Sequence, residues 1–124
     1  MFHLFAKIRE VDGAITPQTR VFECHPEAAF WAMNERTPLA EPKKLSNRLH
    51  AAGLEMRRAL LIRHGFSESF LRETGFPRSQ AGCDHVLDAC ACAWTAARLF
   101  CGEAISFPAQ IPIDANGLRM AIFA

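Results

Sequence analysis

The sequence predicts a helix-rich α/β domain with few strands and a buried long helix near its C-terminus, and three observations lead there. Gly82 to Gly102, GCDHVLDACACAWTAARLFCG, is rich in Ala and Leu, has no internal Pro or Gly, and stops at a glycine. TRVFEC at 19–24 is β-branched and aromatic and runs straight into Pro26, the pattern of a strand, a tight turn and a helix. Two further stretches, near residues 2–11 and 45–64, repeat apolar side chains at helical spacing. Four or five helices and two or three strands are expected, in one domain over residues 1–124.

In chain order, Phe2, Leu4, Phe5, Ile8 and Val11 form an amphipathic stripe with Lys7, Arg9 and Glu10 between them. Gly13 and Pro17 end it. On the following strand Val21 and Glu23 share one face, and Phe22 and Cys24 the other. PEAAFWAMN then reads as a helix with Pro26 at its first position and His25 beside the cap.

NERTPLAEPKK is a loop, since Pro38 and Pro42 break any helix. Leu45, Leu49, Ala52, Met56, Ala59 and Leu60 predict a long helix that tolerates Gly53 and ends at Arg63, His64 and Gly65. A short helix over Ser67–Glu73 and a loop over 74–82 follow. After the long helix, 105–116 is extended and punctuated by proline, and LRMAIF is a last strand. The expected core is Leu87, Ala91, Trp94 and Leu99, packed by Val21, Phe30, Leu49, Met56 and Leu60.

A composition of 50% hydrophobic and 22% charged residues is that of an ordinary globular chain. The net charge of +1 neither demands nor excludes a polyanionic partner. Basic residues concentrate in Lys43, Lys44, Arg48, Arg57, Arg58 and Arg63, against the single acid Glu55, and a solvated helix face is the plainer explanation. The five cysteines are odd in number and four lie in the Gly82–Gly102 stretch, which points to free thiols in a reducing cytoplasm. No C-x-x-C pair occurs, which argues against zinc. The apolar run is too short and interrupted to span a membrane, and no signal peptide is evident.

The sharpest chemical signal is Asp84 and Asp88, four residues apart and so on one face at the start of the long helix. Asp84 needs no more explanation than the positive end of the helix dipole. Asp88 lies a turn further in, among Val86, Leu87, Ala89 and Cys90, where a carboxylate needs a cation or several donors. Glu23, at the end of its strand, is either a site acid or an edge acid facing water.

VFECHPE at 21–27, PLAEPKK at 38–44 and CDHVLDACACAWTAARLFCGEA at 83–104, with the DANGLRMAI tail, resemble an uncharacterised bacterial family. It is domain of unknown function 429, generally described as predicted ribonuclease H-like nucleases. The resemblance implies a ribonuclease H-like fold. It also implies a site in which Glu23, Asp84 and Asp88 hold Mg²⁺ or Mn²⁺ for phosphodiester hydrolysis, with Lys43 and Lys44 contacting nucleic-acid phosphates. His85 stands where members often carry a second acid. The chain opens in the middle of the family's domain, without its N-terminal strands and first-strand acid, so an incomplete C-terminal half of that fold is expected.

Two functions follow as expectations. One is a metal-dependent nuclease, weak or inactive because its acidic site is incomplete. The other is a non-catalytic module that pairs with itself or another chain through an unfinished sheet, since open strand edges seek partners.

Overall fold

The computed structural model describes residues 3–73, 75–77 and 79–124. Its elements are α1 (His3–Ala14), β1 (Glu23–Cys24), α2 (Pro26–Met33), β2 (Lys44–Leu45), β3 (Arg48–Leu49), α3 (Ala51–Arg63), α4 (Glu68–Arg72), α5 (Cys83–Cys101), β4 (Ser106–Phe107) and β5 (Ile122–Phe123). The fold is therefore mixed α/β and dominated by helices. Among the described residues five strands occur where two or three were expected, but each is only two residues long.

The main sheet has the order β1-β5-β4, with β1 parallel to β5 and β4 antiparallel to it. Its register pairs Glu23 with Ile122 and Cys24 with Phe123. The strand expected over 19–24 shrinks to its last two residues because Thr16 and Thr19 close a turn, with the Thr16 N–H donating to Thr19 Oγ1 at 2.9 Å. β1 thus lies at the sheet edge.

Pro26 opens α2 as expected, although His25 makes no side-chain cap. Gly102 ends α5 with a φ of 73°, and the Glu103 N–H reaches back to the Arg98 carbonyl at 2.9 Å. Ser67 caps α4 by accepting from the Phe70 N–H.

The long helix expected from Leu45 is corrected. Residues 44–49 form a hairpin instead, with Lys44 opposite Leu49 and Leu45 opposite Arg48. Ser46 and Asn47 take φ values of 46° and 63°, the two left-handed central positions of a tight hairpin turn, and asparagine tolerates that region well. α3 begins only at Ala51, and its buried face is Gly53, Leu54, Arg57, Leu60 and Leu61 rather than the expected stripe.

The core joins α2, α3, α4 and α5 through Ala29, Phe30, Met33, Leu54, Leu60, Leu61, Leu71, Leu87 and Ala91, with Trp94 packed at its margin. Val21 and Leu49, expected inside, are exposed, and Met56 and Leu99 are half-buried. α5 is not buried all round: Val86, Leu87, Cys90, Ala91 and Thr95 face inward, while Ala93, Ala96, Ala97 and Phe100 face outward. α1 forms as expected, except that Phe2 lies outside the described residues, and its Leu4, Ile8 and Val11 are exposed.

Candidate functional site

α5 begins at Gly82, and its first two turns carry the acids. Asp84 is only 4% exposed, and Lys44 Nζ lies 3.5 Å from its Oδ2. Its Oδ1 folds back over Gly82, where an added Cβ would come within 2.7 Å. His85 Nε2 is 3.9 Å from Asp84 Oδ2. One turn on, Asp88 Oδ2 pairs with the Lys43 ammonium, while its Oδ1 is buried and has no hydrogen-bond partner among the described residues. Burial without a partner is costly for a carboxylate oxygen, so this atom is an unmet demand for a cation or donor.

The two lysines reach the acids because the β2–β3 hairpin and the Pro42 loop lie against α3. The His50 N–H donates to the Lys43 carbonyl at 3.0 Å, and Gly53 comes so close to Pro42 that a Cβ there would sit 2.0 Å from its carbonyl oxygen. Gly53 is therefore required by packing, not merely tolerated. Lys43 and Lys44, expected on phosphates, are directed onto Asp88 and Asp84.

Glu23 is exposed and lines a cavity of about 180 Å³ with Phe22, Leu118 and Arg119, which neither aspartate borders. Its neighbour Cys24 takes the other direction, towards α5, and lines a groove of about 530 Å³ with Cys92, Thr95 and Leu99. Burial, then the Cys24 thiol, then Asp88 push the Cys92 thiol up to about 11. The Thr95 hydroxyl is buried there with no partner among the described residues.

Among the described residues, no group of three or more His, Cys, Asp or Glu side chains is placed to hold a metal ion. The structure thus brings Asp84 and Asp88 together with two lysines, but does not assemble Glu23 with them into such a group. Asp84 and the orphaned Asp88 oxygen are hard donors that fit one hydrated Mg²⁺ or Mn²⁺. A two-ion centre with Glu23 as third acid does not fit this arrangement.

The sequence matches a family described as "Protein of unknown function (DUF429)" over residues 1–112. The chain belongs to that family. No curated protein and no solved structure matches it. For this DUF429 member, no helix among the described residues is long and apolar enough to cross a membrane.

Sequence reasoning missed the buried arginine that braces the site's loop. Arg57, taken for part of a solvated face, is buried and holds Glu27 through Nε at 3.0 Å and a second guanidinium nitrogen at 2.6 Å. It also donates to the Gly53 and Glu41 carbonyls at 2.8 and 3.1 Å, which anchors the loop leading to Lys43. The signal was available: Arg57 falls four residues after Gly53 and three before Leu60, on the buried face.

Proposed function

We propose that the Asp84–Asp88 end of α5 is a phosphodiester-directed metal site of ribonuclease H-like type, incomplete in this chain. One observation carries the reading: Asp88 Oδ1 is buried and unpartnered one turn from the buried Asp84. Asp84 and Asp88 would hold a single Mg²⁺ or Mn²⁺, which when bound would supply positive charge to the non-bridging oxygens of a phosphodiester. Lys43 and Lys44, freed from the carboxylates, would serve as point charges for the flanking phosphates and fix their position. With two carboxylates rather than three, cleavage is expected to be weak or absent. On this reading the chain works in the reducing cytoplasm, which its free cysteines support.

The test is a Mn²⁺ titration by calorimetry of wild type, Asp88→Asn and Lys43→Met, with a nuclease assay in parallel. Saturable binding that Asp88→Asn abolishes and Lys43→Met strengthens supports the site. No binding to wild type or Lys43→Met at millimolar Mn²⁺ refutes it.

A second reading is favoured by the sheet. β1 is an edge strand next to an exposed Val21, and the two acids are already matched by lysines. On that reading the chain is a non-catalytic module that assembles with itself or another chain.

A further inference from the structure

This chain carries two uncovered apolar surfaces that match in length. The first is the stripe on α1, where Ile8 is 57% exposed and Leu4 and Val11 are similarly open. Leu4 to Val11 covers seven residue steps, roughly 10 Å along a helix. The second is the groove between the 20–24 segment and α5, lined by Arg20, Val21, Phe22, Ala96, Leu99 and Phe100. Phe100 is 78% exposed at its end. From Cys92 to Phe100 the groove follows eight residue steps of α5, about 12 Å. Ala96, exposed in the groove's lining, has a side chain small enough for a second helix to approach at about 8 to 10 Å.

Among the described residues, none of α1 lines this groove in its own chain. The connecting residues Ile15, Thr16, Pro17 and Thr19 instead line a separate cavity with Ile113, Gly117 and Leu118, and the Pro17 ring lies so close to Gly117 that an added Cβ there would come within 3.1 Å of it. So held, α1 leaves its own groove open and offers its stripe outward.

The charges agree with the apolar match. Asp12 lies one turn beyond Ile8, on the flank of the stripe, and Arg20 stands at the rim of the groove. Neither has an ion-pair partner among the described residues.

We infer that α1 of one copy docks in the α5 groove of a second copy, reciprocally, about a two-fold axis. Leu4, Ile8 and Val11 fill the groove beside Val21, Leu99 and Phe100, and Asp12 meets Arg20. Such exchange closes the assembly at two chains, because each copy supplies one helix and one groove. The inference deepens the assembly reading by naming its surface, and it rests on that reading only for self-association.

Light scattering on a sizing column decides it at about 0.1 mM protein, a concentration at which micromolar association is complete. Wild type is expected at twice the 13.8 kDa chain mass. Ile8→Asp and Phe100→Asp, both at exposed positions, should run as folded monomers, with dimer dissociation constants raised at least tenfold. Asp12→Arg and Arg20→Asp should each weaken the dimer, and the double swap should restore it, which an unfolded variant could not do. A dimer unaffected by Ile8→Asp and by either charge reversal overturns this docking while leaving sheet-edge pairing intact. A monomeric wild type overturns both.

Discussion

The Lys43 ammonium is paired with the Asp88 carboxylate across 45 residues of sequence, with only 19% and 23% of the two side chains exposed. This pair ties the loop before the hairpin to the long helix. Lys43→Met should cost about 1–3 kcal/mol in urea unfolding, because it leaves Asp88 half-buried with neither oxygen matched. Lys43→Met combined with Asp88→Asn should recover part of that loss. Strict additivity in the double-mutant cycle would show that the pair is not coupled.

Arg57 and Glu27 are unequal partners: the arginine side chain is 3% exposed and the glutamate 44%. Removing the glutamate strands a buried cation, whereas removing the arginine leaves an acid that water can reach. Glu27→Ala should therefore destabilise by about 1–3 kcal/mol, the cost of a charge-assisted hydrogen-bonded pair with one partner open to water. Glu27→Gln should be milder, since its amide oxygen still accepts from the guanidinium. Thermal unfolding of the two variants gives the comparison.

The thiols should differ widely in reactivity. Cys83 and Cys101 are exposed, whereas burial raises Cys90 and pushes Cys92 to about 11. Only the thiolate attacks alkylating reagents, so a raised pKa means slow reaction at neutral pH. Iodoacetamide at pH 7.5, followed by mass spectrometry, should label Cys83 and Cys101 first and Cys92 last. Early labelling of Cys92 would mean that its groove is open and its thiol ionised.

Glu55 accepts from Arg72 at 2.7 Å, and that hydrogen bond, helped by Arg58, holds its carboxyl below the ordinary 4.5. A lowered folded-state pKa adds stability that is complete above the unfolded value and fades as pH falls through the folded one. The difference between wild type and Glu55→Gln should thus be constant above the ordinary value of 4.5 and shrink in more acidic buffer. Exposure to solvent keeps it below about 1 kcal/mol, and added salt should reduce it further.

The parts of the fold legible in the sequence were those written in local chemistry. Pro26 marks the start of α2 and Gly102 the end of α5, and each acts through its own backbone neighbours. The hairpin at 44–49 escaped because Leu45 and Leu49 fit a helical repeat by coincidence. The cue against it was the Ser46–Asn47 pair between two short apolar-basic runs. Outward-facing Ala96 and Phe100 could not be told from core residues by hydropathy, since the cover they lack is a tertiary property.

The site divides in the same way. That Asp84 and Asp88 share one side of α5 follows from their spacing, and the structure keeps it. That Lys43 and Lys44 answer them depends on a contact between segments about 40 residues apart, which no local pattern encodes. That Glu23 and Cys24 take opposite directions did follow from strand alternation, and they line different cavities.

Gly53 has no side chain, yet the charge state seen by Asp88 depends on it. Its lack of a Cβ lets the Pro42 carbonyl approach within what would be 2.0 Å of one, and Lys43 is the next residue. A protein engineer who favoured helix propensity would replace this glycine with alanine for a gain of about 1 kcal/mol. That substitution would instead lift the loop, draw the ammonium away from α5 and open the acidic face to water. Position 53 is thus an electrostatic residue without a charge, and selection there would act on the distance between two other side chains.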